Sequence, residues 1–170
     1  MAIIKELNGT TPQMGNNCFL AETAVVIGDV TMGDDCSIWY GTVLRGDVNS
    51  ITIGNKVNIQ DGAVIHTLYK RSKTIIGDNV SVGHNAVIHG AIIENNCLIG
   101  MGAIVLDNAV VESGAIVAAG ALVTSGMHVD GRYIYAGVPA KKIKAVDEKQ
   151  RSEIINRIAD DYVMYASWYK

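Results

Sequence analysis

Aliphatic residues recur every six positions from Leu20 to Val123, and the beat breaks only three times. The first run is Leu20, Val26, Met32, Ile38, Leu44, the second Ile53, Ile59, Ile65, the third Ile76, Val82, Ile88. The last is Ile93, Ile99, Val105, Val111, Val117, Val123. Four places after an aliphatic position the residue is usually small, as at Ala24, Cys36, Ala63, Ala86, Cys97, Ala103, Ala109, Ala115 and Ala121. A fixed short period marks a solenoid, in which each unit buries its apolar side against the next. Segments 53–57, 76–80 and 99–103 set Gly, Asn or Asp corners beside strand-forming residues. Those corner residues tolerate the positive φ that sharp bends require.

The pattern changes after Thr124. Gly126, Gly131, Gly137 and Pro139 mark a turn segment, and from Asp147 onward Ile154, Ile158, Tyr162, Tyr165 and Tyr169 recur at helical spacing. Asp147 with Gln150 three places later reads as a capping box, so a helix is predicted over about 147–168. Its tyrosine stripe is expected to pack on the solenoid with the hydroxyls wet. The predicted organisation is one domain, 1–170: lead-in 1–17, β-helix about 18–125, turn segment 126–146, and the C-terminal helix.

Composition narrows the class of partner. Hydrophobic residues make up 49% of the 170, enough for a sizeable core, while a net charge of -3 and a pI of about 5.7 oppose nucleic-acid binding. Only Lys141, Lys142 and Lys144 cluster, and such a short group reads as a solvated edge. No apolar run approaches the roughly 18 residues of a membrane span, and the first residues lack the features of a secretion signal. Cys36 and Cys97 fall at inward small positions and read as packing thiols in a reducing compartment. A cytoplasmic protein with no membrane partner is expected.

These hexads resemble the hexapeptide-repeat family, whose fold is an all-β solenoid, a left-handed parallel β-helix with three hexads per coil. Handedness and coil size come from that resemblance, since general crossover rules favour the right hand. Fifteen or more hexads then make five to six coils spaced about 4.8 Å apart, with inserts near 50–52 and 71–75 taken as loops. On this count Arg45, His66 and His89 stack in successive coils and point outward. His84 lies on the preceding face, with Asp61 in the same slot one coil earlier and Gln60 beside it. Roughly 16 Å of extended chain separate His84 from His89. The three imidazoles are therefore expected to meet only across a subunit boundary, as in a three-fold oligomer.

The same residues are similar to those of one branch of the family, the gamma-class carbonic anhydrases. The motifs are Leu44-Arg45-Gly46-Asp47, Asn58-Ile59-Gln60-Asp61-Gly62 with His66, and Gly83-His84-Asn85-Ala86 with His89. The Gly137-Val138-Pro139-Ala140-Lys141 turn and the Tyr162-Val163 step complete a likeness that covers nearly the whole chain. It implies a homotrimer holding Zn2+ (or Fe2+ or Co2+) on His66, His84 and His89, with carbon dioxide and bicarbonate as substrates. It also implies that Gln60 orients the attacking oxygen and that Tyr162 stands near the metal. Arg45 and Asp47 correspond to an intersubunit ion pair, and Asp61 to an interface or supporting partner. Three neutral imidazoles on zinc leave a position for water, whose pKa falls to about 7 there.

Strongly active members carry glutamates that move protons. Here Val48 follows Asp47, and residues 67–71 contain no acid, which points to buffer as proton acceptor and to slow turnover. His128 matches no motif and reads as solvated. Two other classes fit the same solenoid: an acyl-CoA-dependent acyltransferase or thioesterase, and a non-catalytic metal- or small-ligand-binding protein.

Overall fold

The six-residue beat builds three faces. The computed structural model describes residues 1–169. One face stacks Gln13–Met14, the end of Val25–Met32, the end of Val43–Ile53, Thr74–Ile76, Ile92–Ile93, Val110–Val111 and His128–Val129. A second stacks Phe19–Leu20, Ser37–Ile38, Asn58–Ile59, Ser81–Val82, Leu98–Ile99, Ile116–Val117 and Tyr133–Ala136. The third stacks the starts of Val25–Met32 and Val43–Ile53, then Val64–His66, Val87–His89, Ile104–Val105 and Leu122–Val123. Partners such as Leu98 and Ile116, Ile104 and Leu122, or Val110 and His128 are parallel and eighteen residues apart, which is three hexads.

Sixteen of the seventeen beat positions are buried; only Leu20, in the first coil of its face, is partly open. The small inward residues are buried with them, Ala63, Ala86, Cys97 and Ala103 completely. The three cysteines are free thiols. At one corner Asn17, Asp35, Lys56, Asn79, Asn96, Gly114 and Arg132 all have positive φ, so successive coils turn on the same left-handed residue. Beside it, side-chain oxygens of Asp34, Asn55, Asp78 and Asn95 accept from backbone N–H groups of Asn16, Asp34, Asn55 and Asp78 in the coil before. Polar corners thus satisfy backbone donors that the strands cannot reach.

The ladder is longer than the hexad count suggests. There are about seven coils, not five to six. Gln13–Met14 pairs with Thr31 and Met32, and His128–Val129 and Tyr133–Ala136 pair with the coil before them. Met14, Val129 and Tyr135 continue the six-residue register at either end. Met14 and Val129 keep the beat, and only the ring at Tyr135 breaks the aliphatic signal. Residues 50–52 are strand, with Ile51 paired to Val30 and Thr74, so the extra residues extend a bulged strand and form no loop. Of the second insert, residues 74–75 are strand as well, within Thr74–Ile76; the chain just before them leaves the ladder and folds back on itself through a Leu68–Ser72 bridge.

The C-terminal helix starts where the capping box places it. Asp147 accepts from the Gln150 N–H at 2.7 Å, and the Gln150 side chain accepts from the Asp147 N–H at 3.2 Å. Glu148–Gln150 is α-helical, Arg151–Asn156 is a π-helical stretch, and Arg157–Ser167 is α-helical again. The wide π turn shifts the buried stripe by one residue. Ile155, Ala159 and Ala166 are the buried positions, while Ile154, Ile158, Tyr162 and Tyr165 are only partly covered. The helix runs back along the second face: Asn156 reaches Asn79, Asp160 pairs with Lys56, and the Tyr169 ring meets Phe19 at 5.2 Å. Beneath it, Ser37, Asn58 and Ser81 are buried yet bonded, through Trp39 Nε1 to Ser37 and Asn58 Nδ2 to Ser81.

Candidate metal centre

His66 and His89 close adjacent strands of the third face and are paired in register. Their ring centroids lie 5.0 Å apart, and His66 Nδ1 faces His89 Nε2 at 3.1 Å. Each outer nitrogen meets a carboxylate. Asp47 Oδ1 is 2.9 Å from His66 Nε2, and both Asp107 oxygens are 3.0 Å from His89 Nδ1. The Ser72 hydroxyl donates to Asp107 at 2.6 Å.

Carboxylates in these positions hold the imidazole protons on the outer nitrogens. The inner nitrogens are then left as two lone pairs facing each other, an arrangement that calls for a cation between them. Two nitrogens bound to one tetrahedral zinc at about 2.0–2.1 Å lie about 3.3 Å apart, close to the spacing found. The residues therefore fit a divalent metal. Burial pushes the Asp47 carboxyl up, but hydrogen bonds from His66 and Arg45 outweigh it and hold the group below the usual carboxylate range. Asp107 behaves alike, with Ser72 and His89 overcoming the burial.

His84 stands on the turn that joins the second face to the third, so it lies at a corner and not within the preceding face. Its Nδ1 is 2.9 Å from Asp61 of the coil before. Among the described residues, no cluster of three or more His, Cys, Asp or Glu could hold a metal within one chain. The third face thus has His84 along one edge and the His66–His89 pair along the other.

Arg45 stacks in the same column as His66 and donates to its own Asp47 at 2.5 Å, within the chain. Gln60 is buried beside Gly83 and donates to Asn58 at 2.9 Å, placing its amide one residue from Asp61. Tyr162 packs edge-on against Trp39 at 5.3 Å. Burial, then the Asp61 carboxylate, push its phenol up to about 12, so it is a hydroxyl donor at neutral pH. His128 is an exposed strand residue, 2.6 Å from Glu112, whose hydrogen bond raises its pKa.

Two features escaped the sequence reading. Asp107 is one. The other is the outward side of the third face, where Val25, Val43, Val64, Val87, Ile104 and Leu122 stack in register. Outward slots of a solvated sheet alternate to polar residues; six aliphatics in one column make a surface suited to cover. Reading the slot before each beat residue would have found them.

A parallel solenoid with imidazoles at the edges of an apolar face defines a class of repeat protein that other sequences share. The model of the bacterial transferase hexapeptide family (six repeats) matches residues 11–46 and 90–125. A carbonic anhydrase of Geobacillus kaustophilus is 40% identical over 168 residues, covering 99% of this chain and 91% of that protein. A probable carbonic anhydrase of Methanocaldococcus jannaschii is 53% identical over 141 residues, covering 83% and 88%. The crystal structure of a hexapeptide transferase family protein from Anaplasma phagocytophilum superposes with a TM-score of 0.94 at 39% identity, covering 99% and 98%. The chain belongs to the hexapeptide-repeat family of left-handed β-helices, in its gamma-class carbonic anhydrase-like branch.

Proposed function

We propose that the chain catalyses the reversible hydration of carbon dioxide to bicarbonate. The site is a zinc centre built by His66 and His89 of one protomer and His84 of the partner subunit in a homotrimer. The observation that carries this reading is the pair of inner nitrogens at 3.1 Å, each ring backed by its own carboxylate. Metal-binding histidines characteristically donate their other N–H in this way.

The apolar third face supports the assembly. Three copies turned face-inward about one axis bring the His84 edge of each against the His66–His89 edge of the next, giving three equivalent closed sites. A divalent metal there supplies a water acidic enough to react near neutral pH. The chain's own groups do the rest. Asp47, Asp61 and Asp107 fix ring orientation and keep the facing nitrogens unprotonated. Gln60 offers a neutral amide to orient an oxygen, and Tyr162 offers a protonated hydroxyl. No acidic side chain follows His66 in residues 67–71, so the released proton goes to buffer.

Metal content of the purified protein, with hydration of carbon dioxide measured under zinc and under anaerobic iron, tests the reading. About one metal per chain and hydration that disappears in His84→Ala are expected. Metal-free trimers with acyl transfer from acyl-CoA would place the chain instead with the transferases of its family.

A further inference from the structure

The far end of the C-terminal helix and the first coils enclose a recess of about 290 Å3, at the small end of ligand-pocket sizes. Six of its seven lining residues are aromatic: Trp39, Tyr40, Tyr162, Tyr165, Trp168 and Tyr169; the seventh is Asp61. Tyr162 and Tyr169 stand at 85° and 87° to the Trp39 indole, with centroids 5.3 and 5.6 Å away, so the rings meet as the walls of a corner. Trp168 and Tyr169 are 68% and 54% exposed, more than packing alone would leave on large rings. No described lysine or arginine lines the recess. It therefore combines several π faces with one carboxylate and no resident cation.

We propose that this recess binds an organic cation of the quaternary ammonium class. Ring quadrupoles attract a cation within about 6 Å, and methylated ammonium groups suit such cages because they shed water easily. Asp61, which already raises the Tyr162 pKa, adds negative potential at the wall. The carboxylate also receives His84, so a bound cation sits beside that turn. The inference goes beyond the carbon dioxide reading and does not need the metal.

The chain has two tryptophans, and both line the recess, so tryptophan fluorescence, excited selectively over tyrosine, reports on it. The full-length protein as purified is titrated with choline and with 3,3-dimethylbutan-1-ol, its neutral isostere. Saturable binding of choline is expected, tighter than the alcohol by about tenfold or more. Tyr169→Leu, at an exposed position outside the metal machinery, should weaken choline binding by a similar factor while leaving the circular dichroism unchanged. Trp168→Leu serves as a second variant if that one misfolds. Equal binding of the two probes, no binding of choline, or unchanged affinity in a folded variant would overturn the proposal.

Discussion

Replacing Asp107 by Asn removes one charge from the candidate centre and almost no volume. In the native chain, Asp107 Oδ1 accepts from both Ser72 and His89, and Oδ2 makes a second contact with His89. The amide oxygen can keep the Ser72 bond. The amide nitrogen, placed where Oδ2 was, meets the His89 Nδ1–H donor to donor. The His89 proton keeps Oδ1 as an acceptor but loses Oδ2 and the carboxylate charge, so it is held outward less firmly and the tautomer with the proton facing His66 becomes more populated. Changes to such supporting partners typically cost about 10- to 100-fold in metal affinity, equivalent to about 1.4–2.8 kcal/mol. Competition with a chromophoric chelator measures this directly. The fold should survive, because Asn keeps the shape of the partly buried Asp107 side chain and its Ser72 bond, and a typical hydrogen bond contributes only about 0.5–1.5 kcal/mol. If the folded variant bound zinc within twofold of the parent, the tautomer argument would fail.

Other tests probe the scaffold and the titrating groups. A Cβ at Gly100 would sit 2.4 Å from the Ala119 nitrogen and 2.7 Å from the Ala118 carbonyl carbon, both backbone of the next coil. Gly100→Ala should therefore cost about 1–3 kcal/mol, read as a fall in Tm of about 2–12 °C. His128, with its pKa raised by Glu112, should titrate above its ordinary value by NMR, and Glu112→Gln should abolish the rise. Because the folded value is the higher one, the pair's stabilisation is present below the unfolded pKa and fades as pH climbs through the folded one.

The solenoid is legible in the sequence because its inner slot admits little besides aliphatic side chains, and the helix start because capping uses two specific side chains. Stacking of His66 on His89 followed from their positions once the family resemblance supplied three hexads per coil. Asp107 left no such trace. The step from Ile88 to Ile93 is five residues, so the frame slips, and an acid in an outward slot carries no periodic signal. The π stretch Arg151–Asn156 is equally silent, as its residues are ordinary helix formers. The aliphatic column Val43, Val64, Val87 was visible in the chain.

Co-expression of His84→Ala chains with His89→Ala chains tests the shared centre most directly. Alone, each variant should assemble without metal. A mixed trimer restores one site, where the intact His66–His89 pair of one chain meets the intact His84 of the next; random mixing then fills about a quarter of all sites. Recovery of metal near that fraction is the expected result. Full metal in His84→Ala trimers, or none in the mixtures, would contradict a centre built between protomers.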